Sequence, residues 1–172
     1  KITSKTTAIL INSPNNPTGV LYDIKKVKEI IDIAGEYNLP IISDEIYDQI
    51  VFEKHYDCPA TLSEDVPIIG LNGFSKAHLA TGWRLGYMYF FDPTSQLQEL
   101  KGGIEKMARA RLCANSIAQY AAIEALKNPG PHTETMVNNL KRRREYCYKR
   151  LRQIDGLNCI NADGTFYLFP RI

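Results

Sequence analysis

The run Thr7-Ala-Ile-Leu-Ile11 is short, apolar and partly β-branched, and it breaks at once into the turn-rich stretch Asn12-Ser-Pro-Asn-Asn-Pro-Thr-Gly19. A continuous apolar run closed by Pro, Asn and Gly predicts a buried strand and then a loop. From Ile24 the period changes. Ile24, Val27, Ile30, Ile31 and Ala34 recur at helical spacing behind Asp23, a residue suited to cap a helix, and Asn38 and Pro40 stop the pattern. Pro40 to Ser43, Val66 to Leu71 and Tyr87 to Phe91 read as further strands, with a loop that can hold a helical turn between the first two. Alternating strand and helix predicts βαβ units with right-handed crossovers, hence an α/β fold with a largely parallel sheet covered by helices on both faces.

The second half has a different texture. Gln96 to Arg111 and Ser116 to Lys127 read as helices, and Asn128-Pro-Gly-Pro131 punctuates the chain. A long helix is then expected from about Thr133 to Gln153, with Met136, Leu140, Cys147, Leu151 and Ile154 on one side. These shifts divide the chain into residues 1–132, the sheet-bearing part of a large domain, and residues 133–172, a connecting helix and the start of a smaller α+β domain. Gly164-Thr-Phe-Tyr-Leu-Phe169 reads as that domain's first strand, barely begun, and Lys1 opens the chain without an initiator Met or a leader, so an internal piece of a longer protein is expected. The basic run Lys141-Arg-Arg-Arg144 falls on the long helix without the aromatic or glycine pattern of a nucleic-acid module, and reads as a solvated face.

Composition narrows the function classes. With 21 basic against 19 acidic residues the net charge is +2, too little to steer the chain toward nucleic acid or acidic lipid. No apolar run approaches the roughly 20 residues of a membrane span, so neither nucleic acid nor membrane is expected as a partner. Cys58, Cys113, Cys147 and Cys159 form no CxxC pair, and reduced thiols in a cytoplasmic protein are expected. His55, His78 and His132 have no carboxylate or cysteine at ligand spacing, so no metal site and no catalytic histidine is expected. Trp83 is expected to pack rather than react.

The chemistry gathers at one edge of the predicted sheet. Just past the C-terminal ends of its first three strands lie Asn12 and Asn16, then Asp44 and Tyr47, then Ser75 and Lys76. In open parallel sheets that edge is where ligands bind. Arg84, between Gly82 and Gly86, adds a guanidinium with room for a phosphate to reach backbone and side chain together. A neutral lysine amine attacks aldehydes, a nearby cation disfavours its ammonium form, a buried carboxylate keeps a pyridine nitrogen protonated, and an amide and a phenol together stabilise a ring phenolate.

Three motifs in order, Asn12-x-x-x-Asn16-Pro-Thr-Gly19, Ser43-Asp-Glu-Ile-Tyr47 and Phe74-Ser-Lys76-(x)5-Gly82-Trp-Arg-Leu-Gly86, make the sequence similar to class I/II, aspartate aminotransferase-like enzymes of fold type I. The resemblance covers essentially the whole chain. It implies pyridoxal 5'-phosphate as cofactor, a Schiff base at Lys76, Asp44 on the pyridine nitrogen, Asn16 and Tyr47 on the ring hydroxyl, Arg84 on the phosphate with Ser75 beside it, and transamination between an amino acid and a 2-oxo acid. It also implies a homodimer, with Asn115 and Ser116 able to reach a neighbouring subunit's phosphate region. Gly73 stands where many members place a phosphate-binding serine. The family's phosphate loop and ring-stacking aromatic are expected before Lys1 and its substrate-carboxylate arginine after Ile172, so the isolated segment is expected to be inactive. Two alternatives remain: a lyase or synthase with the same cofactor, and a non-catalytic aminotransferase-like effector domain.

Overall fold

The computed structural model describes residues 1–127 and 130–172; the predicted break at Asn128 and Pro129 lies outside the described residues. Strands β1 (Ile9–Asn12), β2 (Ile41–Asp44), β3 (Ile68–Gly73) and β4 (Gly86–Phe91) form one sheet in that order. Helix α1 (Ile24–Glu36) links β1 to β2, and a single turn α2 (Pro59–Leu62) lies between β2 and β3. Helices α3 (Gln98–Ala110), α4 (Ser116–Lys127) and α5 (His132–Leu151) follow, and β5 (Asn158–Cys159) pairs with β6 (Pro170–Arg171) near the C-terminus.

Helix α1 forms for the reasons its pattern suggests. The Asp23 carboxylate accepts from the Lys26 N–H at 2.8 Å and so satisfies one of the free donors of the first turn. Val27, Ile31 and Ala34 are buried against Ile11, Ile41 and Ile68 of the sheet and Val66 just ahead of β3. Each such large aliphatic side chain contributes roughly 1.5–3 kcal/mol relative to exposure. The helix ends where Asn38 turns left-handed (φ 52°), a conformation Asn tolerates better than most residues.

Strands β1, β2 and β3 are parallel, with Asn12 level with Asp44 and Asp44 level with Leu71. Their C-terminal ends therefore share one edge, as expected. The fourth strand departs from the parallel pattern: β4 runs antiparallel to β3, with Gly73 opposite Gly86. Residues 74–85 explain the reversal. They close on themselves, Phe74 N–H donating to the Leu85 carbonyl at 3.3 Å and Ala80 N–H to the Phe74 carbonyl at 3.2 Å, so the chain re-enters beside the strand it left. A parallel return would need a covering crossover.

Two further expectations change. Gly164 to Phe169 is not a strand, because its leading amides bind other segments: Asp163 and Gly164 N–H donate to the Gly19 carbonyl (2.8 and 3.1 Å) and Thr165 N–H to the Ile50 carbonyl (2.8 Å). Thr165 is buried with φ 65°, which bends the chain rather than extending it. The fit is close. A Cβ on Gly19, itself at φ 71°, would stand 2.5 Å from the Ala162 Cβ. Nor is the basic run of α5 wholly solvated, since Arg144 is 7 % exposed. Its Nη1 donates to the Ala162 carbonyl at 2.8 Å and, with Nη2, to both carboxylate oxygens of Glu53 at 3.1 and 2.5 Å, and the guanidinium lies 4.6 Å from the Phe52 ring centre.

Candidate active site

The edge formed by β1, β2 and β3 carries the candidate site. The Asn12 side-chain amide donates to the Asp44 carbonyl at 3.3 Å, and its oxygen receives the Asn16 backbone N–H at 2.7 Å. The loop bearing Asn16 thus hangs from the β1 end beside Asp44, with the Asn16 side chain exposed. One Asp44 oxygen accepts the Ile46 N–H at 3.3 Å, and the carboxylate has no cationic partner among the described residues. Backbone bonds from Asp48 to Glu45 and from Ile50 to Tyr47 coil the chain after β2, which brings the Tyr47 ring inward to 2 % exposure.

Around Tyr47 the chain gathers an aromatic nest. Its ring meets Phe166 and Tyr167 edge-on at centroid distances of 5.4 and 5.9 Å, and the Tyr47 and Tyr167 hydroxyls are 3.0 Å apart. The Lys76 Nζ lies 5.4 Å from the Phe166 ring centre and 5.7 Å from that of Tyr47. It makes no hydrogen bond or ion pair among the described residues. A cavity of about 580 Å³ opens beside it, walled by Phe166, Leu79 and the Met136, Asn139 and Leu140 side of α5. Burial pushes the Tyr47 phenol well above its ordinary range, helped by the Tyr167 hydroxyl and by the negative charge of Asp44. Tyr47 therefore keeps its proton.

Ser75 and Arg84 lie on the loop between β3 and β4. Arg84 is exposed, left-handed at φ 52°, and donates from Nη1 to the Thr81 carbonyl at 3.0 Å. It lines a second cavity of about 810 Å³ with Trp83, Met107, Arg111 and Asn115. Lys76 lines the first of these cavities and Arg84 the second. Ser75 is half-buried on the same loop as Lys76. His78 and His132 lie with ring centres 5.4 Å apart, and burial lowers the His78 pKa, with the neighbouring His132 adding to the effect.

Sequence reasoning missed a buried acidic cluster next to Asp44. Glu45, 3 % exposed, accepts from the Tyr89 hydroxyl at 2.8 Å, and Tyr89 lies 3.1 Å from the Cys58 sulfur. Gly70 makes room for it: a Cβ there would fall 1.9 Å from the Tyr89 ring. Asp48, bonded by the Asn72 amide at 2.9 Å, has its carboxyl pushed up by burial. Only the antiparallel strand brings Tyr89 across Gly70, and no local motif announces that pairing. The packing of Phe166 and Tyr167 on Tyr47 was also missed, although their aromatic pair was visible in the sequence.

Comparison with known proteins supplies the deciding observation. The profile of the aminotransferase class I and II family matches residues 1–172, every position of the chain. The chain belongs to that family. Among aminotransferase relatives, a probable aspartate aminotransferase of Methanocaldococcus jannaschii is 40% identical over 172 residues, covering 99% of this chain and 45% of that protein. The glutamate-pyruvate aminotransferase of Escherichia coli is 37% identical over 176 residues, covering 100% of this chain and 43% of that protein. The solved alanine aminotransferase from Pyrococcus furiosus superposes with a TM-score of 0.98 at 51% identity, covering 100% of this chain and 44% of that structure. This aminotransferase-family chain thus spans under half the length of the relatives it matches, and its mostly parallel sheet with flanking helices is the fold they share.

Proposed function

We propose that this chain forms the cofactor-holding part of a pyridoxal 5'-phosphate-dependent aminotransferase, which moves an amino group between an amino acid and a 2-oxo acid. The observation that carries the reading is Lys76: an amine without an ionic partner among the described residues, set over two aromatic rings and opening onto a cavity. The donor set fits the cofactor. Lys76 would hold the cofactor through its aldehyde group, Asp44 would keep its pyridine nitrogen protonated, Tyr47 and Asn16 would donate to its ring oxygen, and Arg84 with Ser75 would take its phosphate. When bound, the cofactor supplies an electron sink for the bond broken at the substrate Cα. Lys76, free as an amine, would take the proton from that carbon as base and deliver it as acid to the cofactor's former aldehyde carbon.

The names of the relatives span aspartate, alanine and glutamate–pyruvate, which supports the amino acid and 2-oxo acid class rather than one donor. Residues 1–132 act as the cofactor-binding part and residues 133–172 as connecting helix and start of a second domain. A homodimer is supported by apolar side chains left in water around α3 and α4, among them Met107 (76 % exposed), Leu112 (89 %) and Ile117 (79 %). Among the described residues the cysteines are free thiols, in keeping with a cytoplasmic setting. The test is Lys76→Ala in the whole protein. Turnover should vanish, and borohydride reduction of the wild-type protein with cofactor should label Lys76. Undiminished turnover, or a label on another lysine, refutes the assignment. Analysis of products from several amino acids separates transamination from a lyase or synthase, and an effector domain would give no product.

A further inference from the structure

Tyr167 is not among the residues lining the cavity beside Lys76, and its side chain packs on Tyr47. Its hydroxyl lies 3.0 Å from the Tyr47 hydroxyl, and the contact is half-buried. Each phenol has one proton to give, so only one of the two oxygens donates across this contact. If Tyr47 gives its proton to Tyr167, it has none left for a ligand in the site. If Tyr167 donates, Tyr47 is free to donate onward, and the first bond polarises the second. An anionic ring oxygen in the site would select the second arrangement, turning over a pair in which Tyr47 otherwise donates to Tyr167. The Tyr47 hydroxyl is faced by Tyr167, by the negative charge of Asp44 and, across its ring, by the Lys76 amine, so an anionic ring oxygen placed near Lys76 gives the Tyr47 proton a better acceptor than a neutral phenol does.

The chain holds Tyr167 in place for this. Thr165 is buried at φ 65°, its side-chain oxygen accepts the Tyr167 N–H at 3.1 Å, and its own N–H is bound to the Ile50 carbonyl at 2.8 Å. Ile50 in turn donates back to the Tyr47 carbonyl at 2.9 Å. The two tyrosines are thus tied through backbone as well as hydroxyls. Resting on the cofactor reading above, we infer that Tyr167 is a positioning residue which, by donating to the Tyr47 hydroxyl, commits the Tyr47 proton to the cofactor's ring oxygen. The relay runs from a segment near the C-terminus of this chain to the heart of the site.

A donor aimed at the ring oxygen stabilises its anionic form, so weakening that donor keeps a proton on the chromophore to higher pH. The experiment is a pH titration of the visible absorbance of the whole protein loaded with pyridoxal 5'-phosphate, for wild type, Tyr167→Phe, Tyr47→Phe and the double variant. Tyr167→Phe keeps the ring that packs on Tyr47 and removes only the hydroxyl. Its midpoint should rise by about 0.5 pH units, less than the rise for Tyr47→Phe, because it weakens a donor rather than deleting one. The double variant should match Tyr47→Phe alone, since Tyr167 acts only through Tyr47. A normal visible band with an unmoved midpoint in Tyr167→Phe, or shifts that add in the double variant, overturns the relay and leaves the cofactor reading standing. A wild-type protein with no visible band overturns both.

Discussion

Replacing Arg144 with Met tests whether the buried guanidinium clamps the C-terminal segment to the sheet-bearing part. Met keeps most of the apolar stem against Phe52 but removes every donor. The Ala162 carbonyl, bonded at 2.8 Å, loses its partner in a buried position, which costs about 1–3 kcal/mol. The forked pair with Glu53 also goes. Because the Glu53 side chain is 49% exposed, solvent screens that pair, and its loss is worth only about 1 kcal/mol. Together the substitution should destabilise the fold by roughly 2–4 kcal/mol, lowering the urea midpoint by roughly 1 M or more. Glu53→Gln removes the charge but keeps Arg144 on the carbonyl, so it should lose no more than about 1 kcal/mol. Hydrogen bonding to Arg144 holds the Glu53 carboxyl below its ordinary 4.5, with Lys141 adding a smaller pull. A carboxyl depressed on folding stabilises above its unfolded pKa and loses that contribution as pH falls through its folded pKa. The gap between wild type and Glu53→Gln should therefore be full at neutral pH and close only below the ordinary carboxylate range. Urea unfolding at a series of pH values reads both effects. An Arg144→Met loss under 0.5 kcal/mol, or one equal to that of Glu53→Gln, would show that the carbonyl clamp contributes nothing.

Two smaller substitutions probe other links. Gly70→Ala places a methyl where the Tyr89 ring now lies, 1.9 Å from its nearest atom, so the ring must leave Glu45; a loss of roughly 2–4 kcal/mol is expected in thermal or urea unfolding, and a neutral result would contradict the packing. Asp23→Ala removes the α1 cap and should cost about 1 kcal/mol, recovered largely by Asp23→Ser and measured by the same unfolding curves.

The first half of the fold was legible because its signals are local. An apolar run reads as a buried strand whatever it pairs with, and Asp23 with the spacing from Ile24 to Ala34 fixes a helix without knowledge of the sheet. The shared edge for Asn12, Asp44 and the Lys76 loop followed from parallel alternation alone. Pairing direction did not follow, because Tyr87 to Phe91 has the same composition whether it returns parallel or antiparallel; the deciding bonds are at the neck of residues 74–85. Gly164 to Phe169 misled for a related reason. Its aromatic, β-prone residues favour extension, but three of its neighbouring amides are bound by carbonyls more than a hundred positions earlier, and that demand overrides propensity. Arg144 looked like surface charge because its burial depends on Glu53 and the Ala162 carbonyl, which no helical pattern reveals. The Tyr47–Tyr167 contact was hidden by the same distance along the chain.

The stitch of residues 163–165 onto Gly19 and Ile50 sets where chain length can vary. Gly156, at φ 82° with open space where a Cβ would stand, sits in an exposed turn that can absorb an added residue without disturbing anything behind it. Between Ala162 and Tyr167 there is no such slack. One extra residue there would break the register of the carbonyls that receive Asp163, Gly164 and Thr165, and would swing Phe166 away from Lys76. Linker redesign or segment exchange in this region should therefore cut before residue 160 and carry residues 162–167 across as a unit.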